Sequence, residues 1–184
     1  MFYDDDHKLL HVHIPRTAGE SIHMAMSMQC ENYVKDEDSV PPASYIKEYV
    51  GDRCWNEAYK FAVTRPYDEW ITSVWKYLTS NPWWLTQDAR WAKLSKKNLF
   101  YQAREYHNGT LQNWLDNFVW DCWVPNGEYS ITETRPESWL GTDDVDLWDI
   151  SMLPEMVDHI YNITGVHLLM PHANANVPQL RSVA

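Results

Sequence analysis

At 184 residues the chain is long enough for one domain with a substantial core, and its 45% apolar content argues against disorder. A net charge of −11, from 15 basic and 26 acidic side chains, argues against nucleic acid or a long polyanion as the main partner. A small anion stays compatible, because a few focused cations and backbone amides hold one even inside an acidic protein.

In chain order, the acidic start MFYDDDHK lacks the charged-then-apolar pattern of a signal peptide. No apolar run reaches the roughly 20 residues that span a bilayer. A cytoplasmic chain without a membrane span is therefore expected. KLLHVHI (8–14) reads as a strand and ESIHMAMSMQ (20–29) as a helix. The apolar positions Ile22, Met24, Met26 and Met28 fit neither period cleanly, so the helix rests on the turn before it. ENYVKDEDSVPPA (31–43) is polar with paired prolines and reads as a loop. Ser44 would cap YIKEYV, which Gly51 would end. AYKFAVT (58–64) is a second predicted strand.

RPYDEWITSVWKYLTS (65–80) is the clearest helix, with Pro66 at its start, Asp68 and Glu69 on the positive end of its dipole, and Trp70, Val74 and Tyr77 at helical spacing. Residues 81–108 are Trp-rich and irregular, with a short helix expected at 87–95. TLQNWLDNFVW (110–120) reads as helix, VDLWDI (145–150) as strand and LPEMVDHIYNIT (153–164) as a helix ended by Gly165. Strand followed by helix, twice near the N-terminus, predicts a single α/β domain over residues 1–184 with a mainly parallel sheet. Cys30, Cys54 and Cys122 are widely separated and form no CxxC pair, so buried free thiols are expected rather than a disulfide framework or zinc site. In such a chain the sequons at Asn108 and Asn162 would carry no glycan. The 11 tryptophans fit core and rim packing, with a stacking surface for a sugar as the alternative.

The stretch HIPRTAGES (13–21) places a cation and small residues between a strand and a helix. The first amides of a helix lack intrahelical partners and sit at the positive end of its dipole, which makes such a turn an anion site. Gly19 permits a close turn, Thr17 and Ser21 offer hydroxyls, and Arg16 presents a forked donor suited to phosphate or sulfate. Glu20 is discordant and would point away or cap the loop's own amides. The alternative is an ordinary βα turn with a Ser cap. The nucleoside-triphosphate version of the device, G-x-x-x-x-G-K-[ST], is absent, and no later strand ends in an obvious magnesium-binding Asp.

HIPRTAGESI (13–22) resembles the 5′-phosphosulfate-binding loop of the sulfotransferases that use 3′-phosphoadenosine 5′-phosphosulfate (PAPS), written H-[IV]-P-K-T-[GA]-G-[TE]-S. KFAVTRPYDEWITSVW is similar to the family's V-R-N-P strand end, with Ser73 eight positions after Arg65 as in the 3′-phosphate site, although RP replaces RNP. RPESW (135–139) and LLMPHANAN (168–176) resemble two further family segments, through Arg135, His172 and Asn174. The resemblance, to the carbohydrate-type members, implies a three-layer P-loop-like fold with a central, mainly parallel sheet flanked by helices. It implies donor binding by Arg16, Thr17, Ala18, Gly19, Glu20, Ser21, Ile22, Arg65 and Ser73, with Arg135, His172 and Asn174 as further contacts. The implied reaction moves a sulfonate from PAPS to a hydroxyl or amine, releasing PAP, without a metal.

Arg16 stands where the family has a catalytic Lys, and Arg does not give up a proton in proteins. The general base is undetermined. Glu69 replaces a residue that faces the donor in the family and is a candidate, with a helix-dipole partner as its alternative role. His11 and His13 lie on the first strand as expected buried residues, and Asp36, Glu37 and Asp38 as a solvated charge run. The chain is therefore expected to be an active sulfotransferase, with a PAPS- or PAP-binding protein without turnover, or a different ATP-dependent phosphotransferase, as the alternatives. The acceptor, a carbohydrate by resemblance, would be read by the Trp-rich 81–123 and by WAKLSKKN (91–98).

Overall fold

The computed structural model describes residues 2–35, 43–80, 109–117, 119–120, 129–130, 135–141 and 144–171. These residues are mixed α/β and group into two compact bodies: 1–65 with 140–184, and 66–139.

The first body holds a five-stranded sheet made of β1 (Phe2–Asp4), β2 (Leu9–His11), β3 (Tyr33–Lys35), β4 (Tyr59–Thr64) and β7 (Asp146–Asp149), in the order β3-β1-β2-β4-β7. β2 pairs with β4 and β4 with β7 in parallel, whereas β1 pairs antiparallel with both β2 and β3. The sheet is thus evenly mixed rather than mainly parallel. The difference is β1, which forms an antiparallel hairpin with β2 and pairs antiparallel with β3, a strand that returns after α1; β1 and β3 are three residues each and too short to show a period in the sequence. Tight turns allow antiparallel neighbours, while each parallel pairing needs the long crossovers that the rest of the chain provides.

The helix α1 (Gly19–Gln29) buries Ile22, Ala25 and Met26 and leaves Met24 and Met28 exposed. The helical period therefore wins over the apparent alternation, because only one stripe of a helix meets the sheet. α1 shares a core with α5 (Leu153–Thr164), whose Met156, Val157 and Ile160 pack with Phe2, Leu9, Phe61 and Val63. Each fully buried Ile, Leu or Phe contributes about 1.5–3 kcal/mol. α5 carries proline in its first turn and ends at Gly165 in the left-handed conformation, with the Gly165 amide donating to the Tyr161 carbonyl at 2.8 Å. On the opposite face of β4 from Phe61, Lys60 is buried and donates to the carbonyls of Trp55 and Ala58, beyond which it pairs with Asp144 at 3.3 Å. Those carbonyls belong to the end of α2 (Ala43–Glu57) and the residue after it. α2 begins before Ser44 and continues past Gly51, where the backbone leaves helical geometry at φ 81°, ψ 158°. Gly51 breaks the helix as the sequence suggests, but six helical residues follow it.

The second body contains α3 (Tyr67–Ser80), α4 (Leu111–Asn117) and a two-stranded antiparallel ladder of β5 (Val119–Trp120) and β6 (Tyr129–Ser130). α3 buries Trp70, Ile71 and Val74 at helical spacing, and Trp70 meets Trp139 edge-on at 6.0 Å. These tryptophans, with the fully buried Trp114, are packing residues. The helix expected over 110–120 stops at Asn117 because the chain pairs as β5 two residues later. The predicted segment 87–95, the charge run 36–38 and the Lys group at 91–98 lie outside the described residues. Among the described residues no helix is long and apolar enough to cross a membrane.

Candidate anion-binding site

The loop between β2 and α1 is built from a buried strand end. Val12 extends the sheet by donating its amide to the Phe61 carbonyl at 2.9 Å, and Val12, Ile14 and Pro15 are buried. The next three residues alternate in backbone hand. Arg16 has φ 65° and Ala18 has φ 71°, while Thr17 between them is not among the positive-φ residues. Successive amides in such an alternation turn into one concavity and form an anion nest. Left-handed geometry at two non-glycine residues costs on the order of 1–3 kcal/mol each, a strain typical of binding loops.

The helix behind the nest is open. Its first intrahelical bond runs from the Ile22 amide to the Ala18 carbonyl at 3.1 Å, so the amides of Gly19, Glu20 and Ser21 precede it, and no side chain caps the terminus. The capping role considered for Glu20 at this terminus is thus not seen; Glu20 is exposed in the first turn. Gly19 has a steric reason to be glycine, because a Cβ there would overlap the His13 imidazole. Thr17 is fully buried and donates its hydroxyl to the Ile14 carbonyl at 2.7 Å. That proton braces the loop, so Thr17 can offer an anion its amide but not its hydroxyl. Ser21 and Ile22 are buried in the helix wall, and Arg16 is half-buried.

Parallel pairing of β2 with β4 brings Arg65, the residue after β4, to the same carboxyl edge of the sheet as this loop. α/β proteins bind ligands at that edge. β7 adds Asp149 there, in register with Thr64. The Asp149 carboxylate accepts the Ser151 hydroxyl at 2.6 Å and the Ser151 amide at 2.8 Å. These bonds, and then the Arg65 charge, hold its pKa below the usual carboxylate range. β7 thus ends in an Asp at this edge, with its carboxylate already engaged by Ser151. WDIS, an Asp two residues before a Ser at a strand end, was the available signal.

The remaining predicted residues divide. Glu69 is exposed and Ser73 half-buried on the first turns of α3, in the second body. Arg135, in the same body, lies over the Tyr67 ring at 4.1 Å, so it meets the start of the helix that carries Ser73. His172 and Asn174 lie outside the described residues.

His11 and His13 are not equivalent. His11 is fully buried, stacked on Phe2 at 5.4 Å and tilted against Phe61 at 4.9 Å, and neither ring nitrogen has a hydrogen-bond partner. It is buried as expected but not satisfied. Burial, reinforced by the neighbouring His13, holds its pKa well below the ordinary value, so it is a neutral aromatic spacer at physiological pH. His13 is half-buried beside it and against Gly19. The sequence showed no metal-ligand cluster, yet Asp4, His7 and Cys30 converge at the other end of β2. There the Cys30 thiol is pushed up to about 12 by burial and by its bond to Asp4.

No family model, curated protein or solved structure matches this chain.

Proposed function

We propose that the chain is a PAPS-dependent sulfotransferase of P-loop-like, three-layer architecture, acting on a hydroxyl or amine of a carbohydrate or small molecule. One observation carries this reading: an alternating-hand loop bearing Arg16 opens an uncapped helix at the same sheet edge as Arg65. Two cationic points at adjacent strand ends suit a ligand with two separated anionic groups. The ordered resemblance of the motifs around Arg16, Arg65, Ser73 and Arg135 supports PAPS as that ligand.

In the transfer, the acceptor oxygen or nitrogen forms a bond to sulfur as the bond from sulfur to the 5′-phosphate oxygen breaks. The acceptor's proton passes to solvent, and negative charge builds on the departing phosphate of PAP. The nest amides and the Arg16 guanidinium would stabilise that charge, and a preorganised donor of this kind is worth about 2.7–4 kcal/mol in a transition state. Arg16 acts as a fixed cation and not as an acid. The Arg65 guanidinium, beside the ionised Asp149, would take the 3′-phosphate.

Two other readings have an observation each. Arg16 in the family's Lys position favours a PAPS- or PAP-binding protein without turnover. Asp149 at a strand end favours a magnesium-dependent phosphotransferase, although Ser151 and Arg65 already engage that carboxylate.

Calorimetric titration of PAP into the wild type, Arg16→Ala and Arg65→Ala separates them. Micromolar binding, weakened by about 10- to 100-fold in each variant, is expected from the loss of one charge-assisted contact. Absence of PAP binding with binding of ATP–magnesium would replace this reading with the phosphotransferase. PAP binding without sulfonate transfer from PAPS to any of a panel of sugar, phenol and amine acceptors would leave the binding protein.

A further inference from the structure

β1 is antiparallel to β2, so Asp4 at the end of β1 stands opposite Leu9 at the start of β2. His7 lies in the turn that joins them. Cys30 follows α1, held by its amide bond to the Met26 carbonyl at 2.8 Å, and returns to this same end of the sheet. One ligand atom from each of Asp4, His7 and Cys30 lies within 4.8 Å of the other two. Asp4 and Cys30 are buried, at 0% and 2% exposure, whereas the His7 side chain is 39% exposed. The cluster therefore has a closed floor and one side open to solvent.

We propose that Asp4, His7 and Cys30 form a binding site for a Zn2+-class divalent ion that clamps the β1–β2 turn to the end of α1. A carboxylate, an imidazole and a thiolate are the donors such an ion takes, and the nitrogen and sulfur among them disfavour Mg2+ and Ca2+. With a neutral imidazole the three ligands carry two negative charges, which the ion balances in a place where an unbalanced buried charge is costly.

The surroundings orient the ligands in the way supporting groups do at metal centres. Asp4 accepts the Asp6 amide on Oδ1 at 3.3 Å and turns Oδ2 toward Nδ1 of His7. Asn32, just beyond Cys30, donates to the Asp6 carboxylate at 2.7 Å, so the two ligand-bearing segments are already tied together. Tetrahedral coordination with bonds of about 2.0–2.3 Å sets ligand atoms about 3.3–3.8 Å apart. His7, in the exposed turn, is the ligand free to move into that spacing, and solvent on its side supplies the fourth position. The site stands at the opposite end of β2 from Arg16 and does not depend on the donor reading.

The test uses the full chain, stripped of metal with a chelator and titrated with Co2+ and then Zn2+. One equivalent of Co2+ should bind with a near-ultraviolet thiolate charge-transfer band, be displaced by Zn2+, and persist in excess Mg2+ or Ca2+. Cys30→Ser should abolish the band, and His7→Gln, a change at an exposed turn position, should weaken binding by at least about tenfold. Absence of saturable uptake by the wild type overturns the proposal. So does uptake of unchanged affinity in His7→Gln, which would place the ion elsewhere on the chain.

Discussion

His11 shows how a single side chain ties the sheet to pH. An imidazole buried without a partner costs on the order of 1–3 kcal/mol, and it is tolerated here as a flat ring between Phe2 and Phe61. Its folded pKa lies below the unfolded value of about 6.5, so on acidification the unfolded chain takes up a proton that the folded chain refuses. Its stability penalty is absent well above that pH and grows as the pH falls below it. His11→Phe keeps the stack and removes the titration. Urea midpoints should therefore drop less between about pH 8 and about pH 5 in His11→Phe than in the wild type; equal slopes would show that His11 is not the group responsible. At this scale residue types were legible and directions were not. Thr17 reads as a ligand hydroxyl in the sequence, yet it faces inward to the Ile14 carbonyl because the loop needs its own buried polar groups satisfied.

Among the elements, α3 and α5 were legible because long apolar stripes and end signals agree, with Pro66 just before α3, proline in the first turn of α5 and Gly165 closing α5. β1 and β3 were not, since three residues carry no period and their pairing is decided by the neighbouring strand. α2 falls between these cases. Gly51 has φ 81° with ψ 158°, a region open essentially only to glycine, and nothing lies within 4 Å of where a Cβ would sit. A substitution there meets no clash, so its cost is backbone strain alone. Gly51→Ala should lower stability by about 1–3 kcal/mol in urea denaturation. A loss near zero would mean that the chain straightens through this point into one continuous helix.

For the whole molecule, the net charge of −11 opposes the approach of any anionic donor, while Arg16, Arg65 and the nest amides, in the proposed site, would attract it only at close range. Salt screens the distant charges over a Debye length of about 10 Å at 0.1 M and leaves contacts in a partly buried site less affected. In stopped-flow measurements the association rate of PAP should hold or rise between about 0.01 and 0.1 M salt. A steep fall would reveal a cationic surface steering the ligand from afar and would contradict the focused two-point site. The sequence by itself determined the α/β class, the positions of the principal helices, and the strand–loop–helix that carries Arg16, because these follow from local periodicity, end signals and the turn chemistry of neighbouring residues. Only the tertiary structure decided the antiparallel hairpin, the arrival of Asp149 beside Arg65, and the meeting of Asp4 and His7 with Cys30. The hairpin is local, but its first strand is too short to show a period; the other two contacts join segments far apart in the chain, and their partners are chosen by strand register and by what α1 and α5 bury together, which no local pattern encodes.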